Sequence, residues 1–150
     1  MELIVPSQGN LFGYIMPLRP KNYKSIVDLM KNRVNPSFYV ICRTAFNLTK
    51  GYRNLHIAGA KYQDISFGNL FFNPDNGDVL ICDNDNVSYG NSKLGGVLGT
   101  PGFMAPEIVR GEARPSRDTD RYSLAVLLFY LFMVNHPLEG KQEASIKCMD

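Results

Sequence analysis

The apolar positions of this chain fall into segments with different periods. Short apolar runs at residues 2–5 and 11–16 flank "PSQGN" and predict a β-hairpin, followed by the stiff linker "PLRPK". In "NYKSIVDLMKNR", Asn22 is a candidate cap for a helix with Ile26, Leu29 and Met30 on one face. A longer helix is predicted over residues 35–59. Asn35 is its candidate cap, Pro36 suits its first turn and Gly59 its end. Between them Ile41, Ala45, Leu48, Tyr52 and Leu55 recur at steps of 4, 3, 4 and 3, the spacing of one buried helical face.

Beyond residue 59 the period changes. "NLFF" and "DVLIC" read as two short strands joined by "NPDNGD", whose Asn76-Gly77 pair is a tight-turn signal. Residues 84–104 are irregular and rich in glycine (Gly90, Gly95, Gly96, Gly99, Gly102), and a loop of that length is usually functional. Gly95-Gly96 serve loop freedom, because no helix starts directly after them to hold a phosphate. A short helix is expected after "APE", then the polar, basic connection "RGEARPSRDTDR" and a buried helix over 120–134 that ends at "NHP". Its apolar stretch, residues 122–134, is 13 residues long, too short to cross a bilayer. The sequence contains no internal repeat and no low-complexity tract.

Composition narrows the class. With 150 residues, 45% of them hydrophobic, the chain can bury one core. A formal charge of +2 gives no reason to expect nucleic acid or a membrane surface as the main partner. Cys42, Cys82 and Cys148 are odd in number and lack metal-ligand spacing, so they read as reduced thiols. The N-terminal "MELIVPSQGN" has no secretion pattern, and a soluble, cytoplasmic protein is expected.

The chemistry gathers around "KYQDISFGNLFF" (residues 61–72), where Asp64 precedes Asn69 by five residues. The hairpin predicted around Asn76-Gly77 returns the chain so that Asp83 emerges beside this turn. Two carboxylates and one amide then share an edge. Mg²⁺ suits such a set, since it takes few protein oxygens and keeps places for water and phosphate. Asp64 would be left to orient and deprotonate a hydroxyl. A calcium loop starting at Asp83 is disfavoured, because its fifth and twelfth positions would be Val87 and Leu94. His56 and His136 read as structural or exposed. Arg110, Arg114, Arg117 and Arg121 read as a solvated face, with an acidic substrate as the alternative.

Four segments in order carry a resemblance. "YQDISFGN" is similar to the protein kinase catalytic loop in its Asp-to-Asn spacing. "ICDND" stands where that family has D-F-G, and "GTPGFMAPE" resembles the family's segment ending in A-P-E. "DTDRYSLAVLLFYL" resembles the buried helix that follows, whose early Asp, here Asp120, ties down the catalytic loop. The resemblance runs from about Leu3 to Gly140. It implies an α+β, mainly α fold: a kinase C-lobe with two short β-hairpins and a buried central helix. Residues 1–18 would be the last hairpin of the small lobe and the hinge, and residues 19–150 a partial large lobe, a fragment of a larger bacterial-type kinase-like protein. Its cofactors would be ATP and Mg²⁺. Asp64 would be the catalytic base, with Asn69 and Asp83 as metal ligands. Met16, Pro17, Leu18 and Arg19 would form the hinge beside adenine, with Phe71 as the floor under the base and Cys82 lining the pocket. Thr100 and the loop around Gly102 would face a peptide substrate. Glu107 would pair with an Arg further downstream.

The departures from the pattern matter equally. Tyr62 and Gln63 replace His and Arg, which removes the usual partner of a phosphorylated activation loop. Ser66 stands where serine/threonine kinases carry Lys, and one source of charge stabilisation goes with it. Asn84 and Asp85 replace Phe and Gly; Asp85 either crowds Asp83 or helps hold a metal. No G-x-G-x-x-G occurs near the start. Three functions follow: a protein Ser/Thr kinase whose isolated fragment is inactive, a pseudokinase or nucleotide-binding docking module, and, less favoured because of "GTPGFMAPE", a small-molecule phosphotransferase. An exposed cleft floor (Met16, Leu18, Phe71) is expected to promote self-association.

Overall fold

A computed structural model describes residues 2–4, 13–15, 17–90 and 97–140. Strands β1 (Glu2–Ile4) and β2 (Gly13–Ile15) form the first hairpin, antiparallel with Glu2 opposite Ile15. After the linker, β3 (Lys24–Ser25) runs directly into helix α1 (Ile26–Met30). The cap is therefore Ser25, not Asn22. The Ser25 hydroxyl accepts from the Asp28 amide at 3.2 Å, and the Asp28 carboxylate accepts from the Ser25 amide at 3.1 Å. Pairing of Lys24 with Phe72 keeps the preceding residues extended, so the helix cannot begin sooner.

Helix α2 (Phe38–Ile57) likewise starts at Ser37, whose hydroxyl accepts from the Val40 amide, rather than at Asn35. Its spacing is borne out: Ile41, Ala45, Leu48 and Tyr52 are buried, with Leu55 packed at the edge. Gly59, at φ +85°, ends the helix in the left-handed conformation that glycine adopts without strain. Strands β5 (Leu70–Phe72) and β6 (Val79–Ile81) pair antiparallel, and β3 adds to the other edge of β5. Residues 73–78 make the connection, longer than a two-residue turn because the Asn73 amide bonds to the Asp78 carbonyl. At Gly77 (φ +75°) the loop lies on α2: a Cβ there would meet the Val40 carbonyl at 2.9 Å, and Asn47 donates to the Gly77 carbonyl.

A third small sheet was not foreseen. It joins β4 (Ala60–Lys61) to β7 (Ser88–Tyr89), inside the segment read as irregular loop. Two residues per strand give too little alternation to stand out in a sequence. Helix α3 (Pro106–Val109) starts within "APE" and not after it, because Ala105 is the cap and Pro106 suits the first turn, and α4 (Arg117–Met133) is the central helix, capped by Ser116. Leu124, Val126, Leu127 and Leu131 of α4 meet Leu48, Tyr52, Tyr62 and Ile65 in one core. Among the described residues, no helix is long and apolar enough to cross a membrane. Met16, Gly95-Gly96 and Cys148 lie outside the described residues.

Candidate active site

The site is built outward from Asp120, which is 2% exposed near the start of α4. Its carboxylate accepts from the Tyr62 amide at 2.7 Å and the Gln63 amide at 2.9 Å, and meets His56 Nε2 at 2.9 Å. A buried carboxylate is tolerated only with such partners. Asp120 thus ties the segment before Asp64 to α4. His56 is structural: it joins the end of α2 to this carboxylate. The bonds also hold Gln63 at φ +73°, a conformation costly for a residue with a Cβ. That turn sets the direction in which Asp64 leaves the core.

Asp64 is half-buried and fixed from two sides. Asn69 Nδ2 donates to its backbone carbonyl at 2.9 Å and to its Oδ2 at 3.1 Å, and Thr100 Oγ1 donates to its Oδ1 at 2.6 Å. Asn69 is buried and spends its amide nitrogen on Asp64, so its carbonyl oxygen remains as an acceptor-type ligand.

Asp83 arrives through a peptide held at both ends. The Cys82 amide donates to the Asn69 carbonyl at 2.9 Å, and the Tyr62 hydroxyl donates to the Cys82 carbonyl. Burial pushes the Tyr62 phenol well up, and the neighbouring carboxylates of Asp83 and Asp64 add to the rise, so it stays a donor. Asp83 itself is left-handed (φ 57°, ψ 62°) and exposed, opening the short turn Asn84–Asn86. Asn84 and Asp85 are exposed in that turn. Among the described residues no three His, Cys, Asp or Glu side chains gather as a metal site. Among the described residues, the fold brings to this edge the Asn69 amide oxygen and the exposed carboxylate of Asp83, with that of Asp85 in the same turn. That donor set fits Mg²⁺, a hard cation that keeps several waters and takes the rest of its oxygens from phosphate.

Gln63 also faces the segment beyond Asp83, where its Nε2 donates to the Asn86 carbonyl and to Ser88 Oγ. Nothing in the sequence singled out this tie. Thr100 and Gly102 belong to a loop anchored to α4. Ser123 Oγ donates to the Phe103 carbonyl at 2.7 Å, and Phe103 stacks edge-on with Phe67 at 4.8 Å. His136 Nδ1 accepts from the Leu138 amide, so its Nε2 carries the proton and donates to the Gly102 carbonyl at 2.8 Å. His136 is structural in the same sense as His56. The Glu107 carbonyl receives the Glu112 and Ala113 amides, closing the turn after α3. Of the basic residues, Arg121 pairs with Asp118 and Arg110 with Glu112, while Arg117 donates to the His56 carbonyl.

On the hinge side, Pro17 and Leu18 are exposed, Leu18 to 92%. Phe71, at the middle of β5, and Cys82, directly after β6, are half-buried. The Arg19 guanidinium lies over the Phe71 ring, 4.4 Å from its centroid. Burial and Asp83 raise the Cys82 thiol, and the nearby Arg19 charge opposes that rise.

Comparison with known proteins decides the family. The family described as the protein kinase domain matches residues 15–150. The chain belongs to the protein kinase domain family. It is 28% identical over 141 residues to the probable serine/threonine-protein kinase CCRP1 of Zea mays, covering 92% of this chain and 22% of that protein. It is 33% identical over 100 residues to protein kinase C-like 1 of Candida albicans, covering 64% and 9%. It is 28% identical over 123 residues to human protein kinase C delta type, covering 77% and 18%. The chain therefore spans less than a quarter of the length of these kinases. The α+β fold with its buried central helix is that of a partial kinase domain.

Proposed function

We propose that this chain supplies the metal- and substrate-facing part of a kinase that transfers phosphate from Mg-ATP to Ser or Thr hydroxyls of proteins. The observation that carries this reading is the Asp64 carboxylate, fixed between Asn69 and Thr100, with the exposed carboxylate of Asp83 following the clamped Cys82. In this reading Asp64 orients and deprotonates the hydroxyl, and Asn69 and Asp83 hold Mg²⁺ against the phosphates. Pro17, Leu18, Arg19, Phe71 and Cys82 border the base. Thr100 and Gly102 face the peptide. Residues 1–18 act as small-lobe hairpin and hinge, and residues 19–150 as large lobe. The Ser/Thr preference rests on the likeness to the probable serine/threonine-protein kinase of maize. The free thiols of Cys42 and Cys82 suit a reducing, cytoplasmic setting.

The 150-residue chain contains no glycine-rich phosphate loop, so by itself it binds nucleotide without turnover. A second reading, a pseudokinase, is favoured by Ser66 at the place of the usual Lys and by the exposed Asn84 and Asp85.

Calorimetric titration of the chain with Mg-ATP tests the site. Binding that disappears in Asp83→Ala is expected. Binding that is unchanged in Asp83→Ala would remove the metal role from Asp83. Phosphate transfer by a kinase domain that includes this chain, lost in Asp64→Asn, would separate enzyme from pseudokinase.

A further inference from the structure

We infer that Arg19 gates the base slot: its guanidinium covers the face of Phe71 on which a purine would lie, and a bound base must displace it. This inference rests on the proposed role of Phe71 as the floor of that slot.

The placement follows from the local chain. Pro20 biases Arg19 towards an extended backbone. The turn from Pro20 to Tyr23, closed by the Tyr23 amide on the Pro20 carbonyl at 3.0 Å, brings the Tyr23 carbonyl back within reach. Arg19 Nη1 donates to that carbonyl at 2.5 Å, which steadies the guanidinium above the ring. Phe71 lies in the middle strand, opposite Ser25 on one side and Leu80 on the other, so the ring is held while Arg19 is exposed. A guanidinium and a purine are both flat groups that favour an aromatic face, and one face holds one of them at a time.

An exposed cation–π contact is weak, so the gate costs a ligand about two- to fivefold in affinity. Adenosine is the probe, because it has no phosphate that Arg19 could attract. Titrations of the full chain followed by ¹H–¹⁵N NMR would compare the parent sequence with Arg19→Ala and Arg19→Lys, after circular dichroism has shown all three folded. We expect tighter adenosine binding in Arg19→Ala by that factor. We also expect the Arg19 side-chain protons, shifted upfield by the Phe71 ring in the free chain, to lose that shift at saturation. Equal affinity in the parent sequence and Arg19→Ala would overturn the gate and leave the slot. Weaker binding in Arg19→Ala would also overturn it, since Arg19 would then be stacking on the base. Adenosine bound by none of the three proteins would overturn the slot itself, and the gate with it.

Discussion

Asp120→Ala should be among the most damaging single substitutions in this chain, and its cost can be worked from the contacts. The carboxylate receives two backbone amides and meets one imidazole nitrogen, all within 2.9 Å, at 2% exposure. Hydrogen bonds to a charged group contribute about 1.5–3 kcal/mol each. Three of them would give a gross loss of roughly 5–9 kcal/mol. Removing the carboxylate also removes the cost of burying it, which brings the net loss to about 3–5 kcal/mol. Gln63 adds to the effect, because the bonds that hold it at positive φ are lost while the strain remains. Urea unfolding followed by far-UV circular dichroism measures this directly. With a slope of about 2 kcal/mol/M the midpoint should fall by roughly 2 M. Asp118→Ala is the control: that side chain is 82% exposed and pairs with Arg121 on the surface, so its change should stay within about 0.5 kcal/mol. A loss below about 1 kcal/mol in Asp120→Ala, or equal losses in the two variants, would refute the claim that Asp120 anchors the segment before Asp64.

Three further outcomes are expected. Asp28→Ala should cost about 1 kcal/mol at neutral pH through loss of the capping box. The Ser25 backbone and hydroxyl contacts lower the Asp28 pKa from 3.8, so this stabilisation is present above that value and disappears as pH falls through the lowered folded value; a pH series of thermal melts in which the two proteins never converge would contradict it. Tyr62→Phe should leave the fold intact at a cost of about 1 kcal/mol but weaken Mg-ATP binding, because the Cys82 carbonyl loses its donor; unchanged affinity by calorimetry would show that the clamp does not position Asp83. Leu18, 92% exposed beside the cleft, should promote self-association at high concentration, and Leu18→Lys should reduce it; a strictly monomeric parent sequence in light scattering would end that proposal.

The long helices were legible because their apolar positions repeat over many turns, so Ile41 to Tyr52 and the core of α4 landed where the spacing put them. Their starts were less legible. At both Asn22 and Asn35 a suitable cap lay two or three residues upstream of a serine, and strand pairing or the following amide chose the serine. The meeting of Asp64 with Asn69 was readable from spacing, and the arrival of Asp83 from the hairpin. The fixing of Asp64 by Thr100 spans 36 residues, and the tie from Gln63 to Ser88 spans 25, too far for any local pattern to report. The cation over Phe71 depends on a side-chain direction, which residue order does not specify.

The Cys82 peptide is gripped by its backbone at both ends, and its side chain takes no part in that grip. Position 82 is therefore a handle: an electrophilic probe joined to the sulfur leaves both backbone bonds of Cys82, and so the course of the chain into Asp83, unchanged. Because burial and Asp83 hold the thiol above its usual range, such a probe would have to be a strong electrophile or be used in alkaline buffer. Cys42, exposed on α2, would be labelled readily, so it and the third cysteine of the sequence, Cys148, should be replaced before the experiment. With both substitutions, a fluorophore at position 82 would report whether Mg-ATP reaches the proposed site.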